Sequence, residues 1–204
     1  TIPTELGMVS NLSTLLLSNN HLTGSIPSHL GLLSKLIYLD LASNSLIGGI
    51  PSHLGLVSKL TYLDLSLNSL TGGIPMQVGF VSDLSWLGMR NNSLSGNIPS
   101  HLGLLSKLSD LYLSINKLSG SIPSQIGQLS SLFVLELSSN GLTGRIPTQL
   151  GQLSGLCSLN IRRTLVSGTI PESLCTECLR PLVNCRRVTC SCCGCPMPLS
   201  LGDD

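Results

Sequence analysis

The sequence has little charge, few aromatic residues and no long apolar run. Only 10% of its 204 residues are charged, and 11 basic against 10 acidic residues leave a formal net charge of +1. This balance argues against a protein that binds nucleic acid through a basic surface. Aromatic residues make up only 3%, so the core must be aliphatic. The apolar fraction of 42% excludes a disordered chain.

Segments long enough to cross a membrane are also missing. Residues 6–34 carry no Asp, Glu, Lys or Arg, but Ser, Asn, Gly and Pro interrupt them throughout. A membrane-spanning helix needs about 20 mostly apolar residues in a row, so we expect no transmembrane segment. The start, Thr1-Ile2-Pro3, has no basic residue and no apolar run, so we also expect no signal sequence in this chain.

A repeat of 24 residues organises the chain. Asparagines from Asn20 to Asn140 keep this spacing, and glycines occur twice per repeat, from Gly7 and from Gly24 onward. Such a fixed period is typical of a solenoid, in which each repeat is one coil and neighbouring coils share a core. The prolines that define the period are Pro3, Pro27, Pro51, Pro75, Pro99, Pro123, Pro147 and Pro171.

The unit from Leu12 to Lys35 shows how one coil is built. Leu15 and Leu17 alternate with outward positions, which is the period of a half-buried strand. Asn20 follows at a turn, where its amide can hydrogen-bond backbone groups of stacked coils. Pro27 fixes the bend toward the convex side, and a short helical turn follows. We therefore expect the asparagines to form a ladder along the core.

This repeat resembles the plant-type leucine-rich repeat. The pattern Leu-x-x-Leu-x-Leu-x-x-Asn-x-Leu continues as Leu-Thr/Ser-Gly-x-Ile-Pro, for example over 22–27, 70–75 and 142–147. Over residues 1–174 the chain is similar to ectodomains of plant receptor-like kinases and receptor-like proteins, and to polygalacturonase-inhibiting proteins. The resemblance implies an α/β solenoid of about seven coils. It also implies a parallel concave sheet, short helical turns on the convex side, and a second short sheet from the Thr-Gly-x-Ile segments.

Both ends depart from the repeat. Ile2-Pro3 is the tail of a repeat whose strand is absent, so we expect a solenoid over residues 1–174 without an N-terminal cap. Thr164 stands in place of the ladder asparagine, and the phase is lost after Leu174. Residues 175–204 are expected to form a cysteine-rich C-terminal cap, since repeat arrays need covered ends.

The tail holds seven of the eight cysteines. Their even number favours four disulfides and an oxidising, extracellular compartment. Zinc is the alternative, because Cys175 and Cys178 have ligand-like spacing, as do Cys190 with Cys193 and Cys192 with Cys195. The ending is similar to the tails of leucine-rich repeat proteins from microalgae. The expected disulfide cysteines are Cys157, Cys175, Cys178, Cys185, Cys190, Cys192, Cys193 and Cys195.

The strands carry the site-like signal of the sequence. Alternate strand residues point out of the core, and adjacent strands lie about 4.8 Å apart. Tyr38, Tyr62 and Trp86 are therefore expected to form one aromatic strip, a residue type enriched at binding interfaces. The alternative is that Tyr and Trp occur here because they favour strands and because duplication of the repeat copied them. The candidate ligand-binding residues are Tyr38, Asp40, Tyr62, Asp64, Trp86, Arg90, Asp110, Tyr112 and Glu136.

Other constellations are weaker. His29, His53 and His101 share one convex position, but duplication explains their recurrence, and we expect no metal site and no cofactor. The sequence has no Gly-x-Ser-x-Gly, phosphate-loop or His-Glu-x-x-His motif, so we expect no enzyme. Asn11 and Asn91 each begin a sequon that carries a glycan if the chain is secreted.

The sequence thus predicts a non-enzymatic recognition module, extracellular or at the cell surface. Its expected partner is a protein, peptide or oligosaccharide on the concave face, with a co-receptor as a further candidate and no nucleic acid. Enzyme inhibition is a variant that the resemblance to polygalacturonase inhibitors implies. A structural wall or adhesion protein is another alternative. Ice or crystal-surface binding, as in a carrot antifreeze protein of this repeat type, would use Thr23, Ile47, Thr71, Ser95, Ser119, Thr143 and Ser167.

Overall fold

The structure, a computed structural model, describes residues 1–175 and 181–193. Short strands and 3₁₀ helices alternate along these residues. The strands are β1 (Thr14–Leu16), β2 (Thr23–Ser25), β3 (Tyr38–Asp40), β4 (Ser45–Gly48), β5 (Tyr62–Asp64), β6 (Ser69–Gly72), β7 (Trp86–Gly88), β8 (Ser93–Asn97), β9 (Asp110–Tyr112), β10 (Lys117–Ser119), β11 (Val134–Glu136), β12 (Ser158–Asn160), β13 (Gly168–Thr169) and β14 (Val188–Thr189). The 3₁₀ helices are η1 (Thr4–Met8), η2 (Ser28–Leu32), η3 (Ser52–Leu56), η4 (Met76–Phe80), η5 (Ser100–Leu104), η6 (Ser124–Gln128), η7 (Thr148–Gln152) and η8 (Glu172–Leu174).

The concave side is a parallel sheet of seven strands in the order β1-β3-β5-β7-β9-β11-β12. Equivalent residues of successive coils stand directly opposite each other, as Leu39 does between Leu15 and Leu63. This register places every second residue in straight rows on the outer face of the sheet. The expected solenoid with a parallel concave sheet is confirmed.

A second parallel sheet, in the order β10-β8-β6-β4-β2, confirms the short sheet that the family resemblance implied. Its register is staggered, unlike that of the concave sheet. Thr23 stands opposite Ser45, whereas Ile47 stands opposite Ser25. Equivalent residues therefore step by two positions from coil to coil instead of forming a row directly across the strands.

The convex side consists of the 3₁₀ helices, and no α-helix occurs within residues 1–175 and 181–193. Each turn from η2 to η8 follows a repeat proline, as Pro27 precedes η2 with φ of −67°. Gly79 in η4 lies so close to the next coil that an added Cβ would collide with the His101 carbonyl oxygen. Close approach of this kind explains the glycine that recurs from η1 to η7.

The core is one continuous stack of aliphatic side chains. Leu30, Leu54, Val78 and Leu102 recur at one convex position and are at most 1% exposed. No single coil could cover these side chains, since each needs its neighbours to complete the core. The prediction of an aliphatic core is confirmed.

The asparagine ladder is also present. Asn68 shows its geometry: Oδ1 accepts from the Leu46 N–H at 3.0 Å, and Nδ2 donates to the Leu41 and Leu65 carbonyls at 3.0 and 3.2 Å. One side chain thus joins backbone groups of two neighbouring coils. At the end of the ladder Thr164 is buried and donates to the Ile161 carbonyl at 2.7 Å.

The described part of the tail packs on the last coil. Leu182 forms a bridge with Asn160 at the edge of the concave sheet, and β14 pairs with β13. Val183 and Val188 are buried in the core. This segment therefore shields apolar side chains of the final coil from water.

Disulfides hold this segment. Cys175 bonds to Cys192 and Cys190 bonds to Cys193. Cys157 and Cys185 are also disulfide-bonded, and no cysteine among the described residues is free. The other two predicted disulfide cysteines, Cys178 and Cys195, lie outside the described residues.

Candidate functional site

The register of the concave sheet arranges its outward side chains in rows. One row passes through the first residue of each strand and another through the third. The first row is Thr14, Tyr38, Tyr62, Trp86, Asp110, Val134 and Ser158, and the second is Leu16, Asp40, Asp64, Gly88, Tyr112, Glu136 and Asn160. The predicted site residues of these strands thus share one face, and Arg90 follows β7 at its edge. Their role in binding stays a prediction.

The predicted aromatic strip is a continuous stack. The Tyr38 and Tyr62 rings stack with centroids 3.9 Å apart, and the Tyr62 and Trp86 rings with centroids 5.6 Å apart. Tyr112 adds a fourth ring, 4.7 Å from Trp86 and tilted by 41°. We call these four side chains the aromatic array. Because the inner rings cover one another's faces, the array offers mainly ring edges and phenol groups to a ligand.

Two of the predicted carboxylates also have a structural role. Asp40 accepts the Ala42 N–H at 3.0 Å, and Asp64 accepts the Ser66 N–H at 2.9 Å. Each carboxylate therefore caps a backbone N–H two residues further along the chain. Tyr62 adds a longer contact, with its hydroxyl 3.4 Å from Asp64 Oδ2.

Burial and the surrounding carboxylates change the acidity of the phenols. Burial is the main cause that raises the pKa of Tyr62 well above its usual range, and the Tyr38 hydrogen bond and the Asp64 charge raise it further. Burial also raises the pKa of Tyr112, again helped by a neighbouring carboxylate, Asp110. Both phenols therefore remain neutral donors at physiological pH.

Glu136, the third residue of β11 in the second row, is half-buried. Burial raises the pKa of this carboxyl, while hydrogen bonds from Asn160 and Ser158 and the charge of Arg90 act in the opposite direction. Arg90 itself is exposed and forms no ion pair with any residue that the structure describes. It is therefore a cation available to a ligand.

A pocket of about 200 Å³ opens on the face beside Gly88, and we call it the Gly88 pocket. It exists because Gly88 has no side chain in a row that otherwise carries one on every strand. A Cβ at Gly88 would lie 2.5 Å from Asp64 Oδ1 and 3.0 Å from Ser66 Oγ. The pocket is lined by Asp64, Ser66, Trp86, Gly88, Arg90 and Tyr112.

The Gly88 pocket was not predicted from the sequence. The signal was present, because Gly88 is the only residue of its row without a side chain. A second feature was also missed: the turn after each concave strand has one residue with positive φ. Leu67 and Ile115 occupy that turn with φ of 57°, on either side of Asn91 with φ of 54°. Two exposed apolar side chains therefore flank the edge of the sheet near Arg90.

The sequon asparagines and the convex histidines lie outside the aromatic array. Asn11 and Asn91 are both exposed, and Asn11 Oδ1 accepts from Lys35 Nζ at 2.6 Å. Glycosylation of either residue stays a prediction. His101 packs edge-to-face on Phe80, with ring centroids 5.7 Å apart, on the convex side. Among the described residues, the potential metal-ligand group contains cysteines and no histidine.

No helix within the described ranges is both long enough and apolar enough to span a bilayer.

The chain matches the Leucine Rich Repeat family over residues 11–33, 35–56, 59–80, 83–105, 107–129 and 131–153. No curated protein matches it.

The fold is similar to several solved plant proteins. The Arabidopsis receptor kinase HAESA, in complex with the peptide hormone IDA and the co-receptor SERK1, has a TM-score of 0.82 and 35% identity, covering 93% of this chain and 32% of that one. The plant peptide hormone receptor RGFR1, in complex with RGF2, has a TM-score of 0.79 and 28% identity, covering 93% of this chain and 34% of that one. A plant ice-binding protein has a TM-score of 0.61 and 27% identity, covering 83% of this chain and 70% of that one. The chain spans about a third of the length of the two receptors.

Proposed function

Because the chain belongs to the leucine-rich repeat family, we propose that it is a non-enzymatic recognition module that binds a peptide on its concave sheet. The aromatic array carries this proposal, since it gathers the single Trp and all three Tyr of the chain on one face. Trp and Tyr dominate binding hot spots because they bury a large area at a small entropic cost. A purely structural wall or adhesion protein would not need this clustering.

The similar solved structures support a peptide as the ligand class. HAESA is described with the peptide hormone IDA and RGFR1 with RGF2. A co-receptor, as SERK1 is for HAESA, would be a second partner for this chain. The concave sheet is long and open, which suits an extended chain lying across several strands.

The ring geometry favours a peptide over an oligosaccharide. In the aromatic array the planes of Tyr38 and Tyr62 differ by 5° and those of Tyr62 and Trp86 by 11°, so each ring covers its neighbour. A sugar that stacks needs a free ring face. A peptide can instead use the exposed edges, the phenol hydroxyls and the flanking carboxylates as hydrogen-bond partners.

Catalysis is not part of the proposal. Asp40 and Asp64 already cap backbone N–H groups of their own coils, and they lie on an open sheet that does not exclude water. We propose instead that they contribute to ligand selection through charge. Inhibition of an enzyme by the same face remains compatible with this function.

We propose that the protein acts outside the cell or at its surface. The six described cysteines are all disulfide-bonded, and disulfides persist in oxidising compartments. We also propose that residues 1–174 form the recognition solenoid and that residues 175–204 cap it. Burial of Val183 and Val188 against the last coil supports that role.

Panning a peptide library against the whole chain tests the function. Selected peptides should bind at least tenfold more weakly to the double variant Tyr62→Ala with Trp86→Ala, because hot-spot aromatics contribute about 2 kcal/mol or more each. Phe80→Ala is the matched control, since Phe80 is an exposed aromatic on the convex side. Equal affinity of the double variant and the wild type would place the binding surface elsewhere.

Ice binding is the second candidate, favoured by the similarity to a plant ice-binding protein. Its predicted row contains Thr, Ser and Ile, and the staggered pairing of Thr23 with Ser45 shifts each member along the strand. A lattice would require one residue type in regular positions. Thermal hysteresis of the purified chain decides this point, and we expect none.

A further inference from the structure

Gly88 lacks a backbone cap that three other coils have. The third strand residue caps the backbone N–H two positions later in three coils. Asp40 caps Ala42, Asp64 caps Ser66, and the Asn160 amide oxygen accepts the Arg162 N–H at 3.2 Å. Gly88 has no side chain with which to cap Arg90.

The Arg90 N–H is open, as are the equivalent N–H groups of Ser18, Ser114 and Ser138 within the described ranges, but Arg90 alone of these four also carries a charged side chain. Among the described residues the Arg90 N–H donates no hydrogen bond, although the Arg90 carbonyl accepts one from the Leu67 N–H at 2.9 Å. The Arg90 guanidinium has no ion-pair partner in the same residues. One residue therefore presents both a backbone donor and a charged donor at the Gly88 pocket.

Trp86 adds a third unmatched donor. Its Nε1 is buried and has no hydrogen-bond partner among the residues that the structure describes. Buried donors in native proteins are nearly always satisfied, so an orphaned one needs an explanation. Trp86 lines the Gly88 pocket together with Arg90, so a residue with an unpaired donor forms part of the pocket wall.

We propose that the Gly88 pocket binds the carboxamide side chain of an Asn or Gln in the peptide, an inference that rests on the proposed peptide-binding function. The amide oxygen takes the place of the capping oxygen that Gly88 cannot supply, and accepts from the Arg90 donors beside the Trp86 ring. The amide NH₂ donates to Asp64, whose Oδ1 borders the space beside Gly88. The pocket has about 200 Å³, below the roughly 300 Å³ at which pockets for drug-sized ligands begin, and so suits one side chain.

Other side chains match this set of groups less well. A carboxylate would pair with Arg90 but would meet the like charge of Asp64. An ammonium or guanidinium group would satisfy Asp64 but would face three donors with no acceptor of its own. An aliphatic side chain would bury all of these polar groups without partners. Of the groups compared, the carboxamide alone has both an acceptor and donors, one for each side of the pocket.

Trp86 makes the test direct, because it is the only Trp of the chain and gives a single indole N–H resonance. The whole ¹⁵N-labelled chain is titrated with four capped pentapeptides, Ala-Ala-X-Ala-Ala, in which X is Gln, Glu, Lys or Leu. We expect the Gln peptide to bind at least tenfold more tightly than the others. It should shift the Trp86 indole and the Arg90 backbone N–H resonances together.

Two variants remove the selectivity by different routes. Gly88→Ala puts a methyl group into the pocket wall, where its Cβ meets the ends of the Asp64 and Ser66 side chains. Arg90→Gln removes the charge without adding backbone strain. Either change should reduce the preference for Gln to less than about threefold, whereas Ser138→Ala, at the position equivalent to Arg90 two coils further on, should leave it unchanged.

The outcomes separate this inference from the function on which it rests. If all four peptides shift the concave resonances equally and Gly88→Ala changes nothing, the carboxamide pocket is wrong while peptide binding stands. If none shifts any concave resonance, the pocket is wrong and the proposed function also loses support. Tighter binding of the Glu or Lys peptide would replace the carboxamide with a charged group and overturn the inference.

Discussion

Tyr38 and Tyr62 stack face to face across neighbouring strands, with ring centroids 3.9 Å apart and planes within 5°. The stack follows directly from the in-register pairing of these residues. It buries ring area that an isolated surface Tyr would expose, and it brings the Tyr62 hydroxyl to 3.4 Å from Asp64. The residues proposed to bind a ligand thus also stabilise one another at this place on the sheet.

The first prediction concerns alkaline pH. Burial and the nearby carboxylates raise the pKa of Tyr62 in the folded protein above its ordinary value. Above about pH 10 the unfolded chain therefore releases this proton while the folded chain retains it, so the free energy of unfolding falls as the pH rises. Denaturant unfolding at about pH 9 and about pH 11 should show a smaller loss for Tyr62→Phe than for the wild type. Equal losses would mean that Tyr62 titrates normally.

The second prediction compares two glycines. Gly79→Ala would force a Cβ into the His101 backbone, which separates two coils, and should cost about 3 kcal/mol of unfolding free energy. Gly96 has φ of +77° and open space around its Cβ position, so Gly96→Ala should cost only about 1 kcal/mol from backbone strain. Urea denaturation of both variants measures the difference. If both variants lowered the free energy of unfolding equally, separation of the coils would add no cost beyond backbone strain.

The third prediction concerns the asparagine ladder. Asn68→Ala leaves the Leu46 N–H of the preceding coil without its acceptor and removes one of two side-chain donors from the Leu41 carbonyl, which keeps Asn44 Nδ2. This should cost about 2 kcal/mol. Asn20→Ala is the matched control, because the exposed Asn20 side chain bonds only to the Leu17 and Ser18 carbonyls of its own coil. We expect this control to cost less than about 1 kcal/mol. A similar cost at both positions would contradict a role in joining coils.

The fourth prediction is a stabilising change. Ile115 is 52% exposed and has φ of 57°, a region that β-branched residues rarely adopt. Ile115→Asn should raise the free energy of unfolding by about 1 kcal/mol, since Asn tolerates this region. Ile47 is equally exposed, at 54%, but its φ is not positive. Ile47→Asn should therefore give no gain, and a gain at both positions would point to solubility instead of backbone strain.

Much of the fold could be predicted because one period repeats along the chain. Leu15 with Leu17 indicated the strand and Pro27 the convex turn, and the structure confirms both. Asn20 indicated the ladder, which is present from Asn44 to Asn140. The identity of the turns was harder to predict. A short apolar segment such as Ser28–Leu32 has the same pattern in an α-helix and in a 3₁₀ helix, and only the close approach of the next coil selects the tighter form.

The candidate site was predictable by row but not by contact. Strand alternation placed Tyr62 and Asp64 on one face, yet it could not show that the rings stack or that the carboxylate caps Ser66. The Gly88 pocket depends on the absence of a side chain, which single-residue signals do not register. A comparison of the third residue in all seven concave strands would have revealed the missing side chain. The stagger of the second sheet was likewise hidden, because equal spacing along the chain does not fix the pairing register.

The last prediction separates disulfides from zinc in the tail. The Sγ atoms of Cys175, Cys190 and Cys192 lie within 4.8 Å of one another, so the same residues that form disulfides here could share a metal ion if reduced. Protein from an oxidising host should have an intact mass lower by two hydrogens per disulfide, contain no zinc, and resist alkylation until a reductant is added. Reduction should also lower the free energy of unfolding, by about 2–5 kcal/mol for each native bridge lost, because Val188 would lose the covalent hold of its segment. Stoichiometric zinc, together with alkylation after chelation alone, would show instead that metal closes the tail and that the protein works in a reducing compartment.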